Sequence, residues 1–237
     1  MECLILRFDA PLMSFGGVVV DQHHPTWRFP GVAMLAGFLG NALGWDHRDT
    51  DKLQRLQDRL RFAARWDAEP ELLLDYQTVD LGQDFLVDTG WTTRGRREDR
   101  KGGSAATGTH IRYRHHWANG VMTVALALDG CDAPTLKHLA DALQAPARPL
   151  FIGRKPCLPA TPLLFGRREA QGVRAALAAE PLADIGPRRR PTQITALWPV
   201  DEGEGAMVEE RFDARKWANN IHLGSRRYAV GTLEVAR

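Results

Sequence analysis

The chain has 237 residues, 44% of them hydrophobic and 25% charged, with a formal net charge of +2. That length carries a buried core in one large or two small domains, and that composition excludes a disordered chain. Three widely spaced cysteines, Cys3, Cys131 and Cys157, with no CxxC pair, argue against a structural zinc site and a disulfide framework, and fit a reducing cytoplasm. The opening MECLILRFDAP is short and has Glu2 where a signal peptide needs basic residues, and no run of about 18 apolar residues follows. A cytoplasmic protein that does not span a membrane is expected.

In chain order, Cys3–Phe8 reads as a buried strand ended by Asp9-Ala10-Pro11. An irregular segment with Gly16-Gly17 and Trp27-Arg28-Phe29 follows. A helix is predicted from Pro30, proline suiting a first helical turn, to Gly44, its glycines and alanines on a face suited to close packing on a sheet. A polar helix from about Thr50 to Leu60 takes Asp49 or Thr50 as N-cap. Leu60–Trp66 and Leu72–Val79 read as strands. Asn119-Gly120 stands between two strand-like runs, Ile111–His116 and Val121–Leu128, and predicts a hairpin. Pro134–Leu143 reads as a short helix. From about Gly166 the pattern is less regular, with strands at Ile194–Val200 and Tyr228–Val235. The expected class is α+β: a ferredoxin-like (RRM-like) βαββαβ palm over residues 1–165, with a protruding basic thumb inserted at about 82–110. A small, mostly β extension, 166–237, packs on the palm.

Four groups of residues carry chemistry. Arg94, Arg96, Arg97, Arg100, Lys101, Arg112 and Arg114 are opposed only by Glu98 and Asp99. A phosphate backbone relieves such repulsion; a solvated loop is the plain alternative. The turn ARPLFIGRKPCLP offers Arg148, Arg154 and Lys155 to phosphates, Phe151 to a base, and Gly153 for close backbone approach. Its plain alternative is a packed connection. Two such elements on one sheet favour single-stranded RNA. His23-His24 suggests a metal, but adjacent residues on an extended chain point apart, and a polar loop near the RNA is the better reading. His110, His115, His116, Tyr113, Tyr76 and Lys101 could supply the base, acid and cation of metal-independent RNA cleavage; simple RNA contacts are the alternative. There is no GxxxxGK[ST], GxSxG or HExxH.

Four stretches resemble one family. They are LILRFDAPLMSFG at Leu4–Gly16, PTWRFPGVAMLAGFLGNALG at Pro25–Gly44, LDYQTVD at Leu74–Asp80 and RPLFIGRKPCLPATPLL at Arg148–Leu164. They resemble the CasD family, the guide-RNA 5′-handle-binding subunits of type I-E CRISPR Cascade, within the RAMP superfamily. The last stretch is the most specific, and the likeness covers roughly the first 165 residues. The resemblance implies a non-catalytic subunit that caps the 5′ handle of the crRNA and kinks the guide with its thumb. It also implies that the subunit bridges the Cascade backbone subunits and the large, PAM-reading subunit, and meets target DNA through the assembled complex. No cofactor or metal is implied. RNA contacts would come from Phe15, Arg28, Arg148, Phe151, Gly153, Arg154 and Lys155, with the thumb cations beside them. In the related type I-C branch the equivalent subunit is a metal-independent endoribonuclease using tyrosine, lysine and histidine. This sequence shows no clear match to that set, and the second reading would rest on His115, His116, Lys101 and Tyr113.

Overall fold

The computed structural model describes residues 1–80, 90–91, 97–98 and 109–236, with the backbone alone at 80, 90–91, 97–98 and 109. The first half holds β1 (Glu2–Asp9), β2 (Leu12–Met13), β3 (His23–His24), α1 (Val32–Ala42), α2 (Thr50–Arg59), β4 (Leu60–Ala68) and β5 (Glu71–Asp80). A short pair, β6 (Gly90–Trp91) and β7 (Arg97–Glu98), is followed by β8 (Thr109–Ala118), β9 (Val121–Leu128), α3 (Leu136–Gln144) and β10 (Leu164–Glu169). The last third holds α4 (Val173–Ala179), β11 (Thr195–Pro199), β12 (Met207–Arg211), β13 (Arg215–Lys216), β14 (Ile221–His222) and β15 (Arg226–Thr232). No described helix is long and apolar enough to cross a membrane.

The fold is α+β, built on one antiparallel sheet with strand order β10-β1-β9-β4-β11-β15-β12. β1 and β9 lie inside it, which is why CLILRF and VMTVALAL are apolar but for Arg7 and Thr123, both of which are bonded to buried Asp67. Successive side chains point to opposite faces. Leu4, Leu6, Phe8, Phe62 and Leu126 pack against Leu35 and Leu39 of α1 and Leu139 of α3 on one face. Cys3, Ile5, Ala63 and Ala125 pack against Val173, Ala176 and Leu177 of α4 on the other.

Several local expectations are corrected. α1 begins at Val32 rather than Pro30, because Asp213 caps it from across the chain. Its Oδ2 accepts the Val32 N–H at 2.9 Å and its carbonyl accepts the Ala33 N–H at 3.2 Å. The helix glycines do not face the sheet. A Cβ on Gly40 would lie 2.6 Å from Leu53 Cδ2 of α2, and one on Gly37 would lie 3.3 Å from the Trp217 ring. Asn119-Gly120 is no hairpin turn, since β8 pairs with β5 while β9 pairs with β4 and β1. The β4–β9 ladder ends at Ala68↔Val121 and the β5–β8 ladder begins at Glu71↔Ala118. The two strand pairs therefore form one bent ribbon. Asn119 takes φ +58 at the bend, and a Cβ on Gly120 would lie 2.5 Å from Trp66 and 2.9 Å from Pro70. The segment after Gly166 is also more regular than expected. β10 spans residue 165, α4 follows, and β11, β15 and β12 continue the same sheet from the free edge of β4.

Candidate nucleic-acid interface

The ribbon of β5 and β8 stands at one end of the sheet. β8 also pairs with β2 at Trp117 and Ala118, and runs parallel to β3 at Tyr113 and Arg114. Strand alternation puts Arg112, Arg114 and His116 on one face of β8, and Ile111, Tyr113, His115 and Trp117 on the other.

The proline-rich turn after α3 closes on this ribbon. Leu150, Ile152 and Cys157 are buried, and Ile152 N–H donates to the Cys157 carbonyl at 2.7 Å. Gly153 sits at φ +93, with the place of its missing Cβ filled by the Ser14 carbonyl. The close backbone approach expected there is thus made to the protein itself. This turn geometry presents Arg154, which donates to the His115 carbonyl at 3.0 Å and the His24 carbonyl at 3.1 Å. Burial, and then Arg114 beside it, push the Arg154 pKa down. Among the described residues, Arg112, Arg114, Arg154 and Lys155 have no carboxylate within ion-pair distance. Burial and the cations Arg154, Arg114 and Arg112 push His24 down from its ordinary value. Burial and Arg154 push His116 down too. His24 Nε2, His115 Nδ1 and His116 Nδ1 are buried without a hydrogen-bond partner.

The opposite face of the ribbon carries an aromatic row. His23 stacks on Tyr113 with centroids 4.8 Å apart and planes 7° apart, and Tyr113 meets Tyr76 at 5.3 Å. Tyr76 is 54% exposed. Each residue had stood out alone, but the row follows from register: Tyr76↔Tyr113 across β5–β8 and His23↔Tyr113 across β3–β8. No spacing within one segment encodes it.

The other candidates lie elsewhere. Phe15, expected to flank the RNA, is buried with its ring 6.1 Å from that of Trp66. Arg28 is paired with Glu69 at 2.8 Å. Arg148 donates to the Trp45 and Gly44 carbonyls at 2.8 and 2.7 Å, and so holds the loop that follows α1. Phe151 is half-buried and Lys155 exposed. His110 is exposed on β8. Arg94, Arg96, Arg100 and Lys101 lie outside the described residues, as does the side chain of Arg97. Two of the Arg188–Arg190 run are held by the protein: Arg188 pairs with Asp9 at 2.7 Å and the exposed Arg190 donates to the Ala183 carbonyl at 3.1 Å. Among the described residues no group of three or more metal-ligating side chains comes together.

Fold and sequence together define the class, a CRISPR-associated protein. Residues 3–230 match the family model described as CRISPR-associated protein (Cas_Cas5), and the chain belongs to that family. It is 32% identical over 218 residues to the CRISPR system Cascade subunit CasD of Escherichia coli (strain K12), covering 90% of this chain and 93% of that protein. A solved structure of a CRISPR RNA-guided surveillance complex contains a chain similar to this one, with TM-score 0.70 and 26% identity over 98% of this chain and 90% of that one. A crystal structure of a Cas protein has the same fold, with TM-score 0.57 and 21% identity over 98% and 95% of the two chains.

Proposed function

We propose that this protein is a non-catalytic, cytoplasmic RNA-binding subunit of a Cascade-type CRISPR surveillance complex, and that it holds the 5′ handle of the crRNA on the β3–β8–β5 ribbon. The carrying observation is the group of cations Arg112, Arg114 and Arg154, with no ion pair among the described residues although Asp75 stands across from Arg114, backed by the stacked row His23–Tyr113–Tyr76. Phosphates relieve the repulsion, and unpaired bases stack on the aromatic faces. Kinship with a named Cascade subunit supports the assignment. The palm is read as ferredoxin-like. Its support is the order β10-β1-β9-β4, with α1 and α2 between β1 and β4 and α3 between β9 and β10. The palm ends near residue 165, and the later strands extend it.

The thumb is the ribbon with the basic segment beyond it, and it kinks the guide where handle meets spacer. The subunit also bridges the backbone and large subunits of the complex, and meets target DNA through them. Leu72, Leu73 and Leu74 stand exposed on β5, and an apolar strand of this kind calls for a covering neighbour.

The test is guide retention by complexes assembled with Arg114→Ala/Arg154→Ala. Loss of two phosphate contacts should weaken RNA binding and flatten its log–log salt slope by about two. Unchanged retention and slope would overturn the reading. One observation favours a second reading, metal-independent endoribonuclease: the unpartnered ring nitrogens of His24 and His116 beside Arg154, with that of His115 on the other face of β8. Repeat RNA incubated with the chain in EDTA separates the two. Intact RNA is expected; a single cut leaving a 2′,3′-cyclic phosphate would establish the second.

A further inference from the structure

Where the loop after α1, the helix α2 and the start of α3 meet, a groove of about 380 Å³ opens to solvent. That volume is in the range of preformed binding pockets. Its apolar walls are Leu43, Trp45, Ala133 and Pro134. Backbone contacts fix these walls. The Trp45 N–H donates to the Gly40 carbonyl at 2.8 Å, and Arg148 holds the Trp45 carbonyl at 2.8 Å. On the α3 side, Arg59 donates to the Asp129 carbonyl at 2.7 Å and to the Pro134 carbonyl at 3.2 Å.

The rest of the lining is basic: Lys52, Arg55 and His138, all exposed. Lys52 and Arg55 are three apart on α2 and so are neighbours on one helix face. Lys52 pairs with Asp49 at 2.8 Å. Arg55 has no ion pair among the described residues. His138 Nδ1 accepts the Thr135 N–H at 3.0 Å, closing the capping box of α3. That leaves Nε2 to carry the ring proton and to donate it. No carboxylate lines the groove; Asp51 and Asp132 adjoin lining residues in the chain but stand outside its walls.

We infer that this groove docks a protein partner through an apolar side chain flanked by carboxylates. The apolar side chain fills the space beside Trp45 and Pro134. The carboxylates meet Arg55 first, since Asp49 already shares Lys52, and His138 Nε2–H is a further donor. An apolar anchor in a fixed pocket carries much of the affinity of a small interface, and the charged rim selects the partner. Charge tells against two other occupants. A second copy bringing the same face would set Lys52 and Arg55 against their own kind, and a basic segment would meet the same repulsion. RNA would satisfy the cations but not the walls. Leu43, Ala133 and Pro134 offer no aromatic face for a base, and Lys52 already lies over the Trp45 ring at 5.9 Å. The groove shares no lining residue with the β3–β8–β5 ribbon, so the inference stands independently of the RNA-binding reading.

The test titrates the full chain with three acetylated, amidated peptides at millimolar concentration: EDLLDE, KRLLRK and EDGGDE. The readout is the NMR signal of the Trp45 indole N–H, assigned with Trp45→Phe. EDLLDE should shift that signal and bind about tenfold more tightly than either of the others. Added salt should weaken it, because the rim is exposed. Arg55→Glu, at an exposed position without an ion pair, should leave the melting temperature unchanged and abolish the preference for EDLLDE over KRLLRK. No shift with EDLLDE, equal binding of KRLLRK or EDGGDE, or a preference that survives Arg55→Glu would overturn the inference. A Trp45 shift that EDLLDE does not cause, but that repeat RNA or a higher concentration of the chain alone does, would overturn it in favour of RNA or of a second copy. Guide retention through Arg114 and Arg154 is read separately, so failure here leaves that reading standing.

Discussion

At Gly153 two constraints meet that a side chain cannot satisfy. Its φ of +93 lies where L-residues are strained, and the Ser14 carbonyl fills the space a Cβ needs. Gly153→Ala should therefore lower stability by about 1–3 kcal/mol from the backbone alone, and by more once Ser14 is displaced. A urea unfolding midpoint measures this, and a midpoint within error of wild type would refute the packing described here. The residue identities in this turn were readable as glycine, cation and aromatic. Their partners were not. Arg148 and Arg154 look alike in sequence, yet one holds the loop after α1 through the Gly44 and Trp45 carbonyls and the other faces the ribbon. Both sets of acceptors come from distant segments, so no local pattern separates the two arginines.

Among the elements, β8 combines two chemistries because a strand alternates its faces. Tyr113 belongs to the stacked face and Arg114 to the cationic one. The two should fail differently. Tyr113→Ala should reduce RNA affinity by about 1–3 kcal/mol, the scale of one stacked base, with the salt slope unchanged. A flattened slope in Tyr113→Ala would mean that the row does not stack bases. Strand runs at Cys3–Phe8, Leu60–Trp66 and Val121–Leu128 were legible because each is buried and strongly apolar. The bend at Asn119-Gly120 was misread because Asn-Gly signals a change of direction without saying whether the chain returns along itself. Pairing of β8 with β5 rather than β9 decides that, and it depends on strands many residues apart.

For the molecule as a whole, a buried charge network joins β1, β4 and β9 to α4 and the segment that follows it. Asp67 is wholly buried and accepts from Arg65 Nε at 2.7 Å, Arg7 Nη1 at 2.9 Å, the Thr123 hydroxyl at 2.6 Å and the Ala183 N–H at 3.0 Å. Arg65 in turn donates to the carbonyls of Leu177 and Pro181. Removing the acid strands two guanidinium groups out of water, so Asp67→Ala should cost about 3–5 kcal/mol. The readout is a thermal or urea melt. A loss under about 1 kcal/mol would show that water relieves the network.

The sequence by itself determined the class, the buried strands, the first three helices and the family, because hydrophobic period and short motifs are local and survive without coordinates. Only the tertiary structure decided which cations lie together without an ion pair, which aromatics align across strands, and that Asp213 reaches from the C-terminal third to cap α1 while leaving one oxygen unpaired. Those facts are products of strand register and long-range packing. They depend on which distant residues the fold brings within hydrogen-bond reach, and a linear order of side chains carries no distance between them.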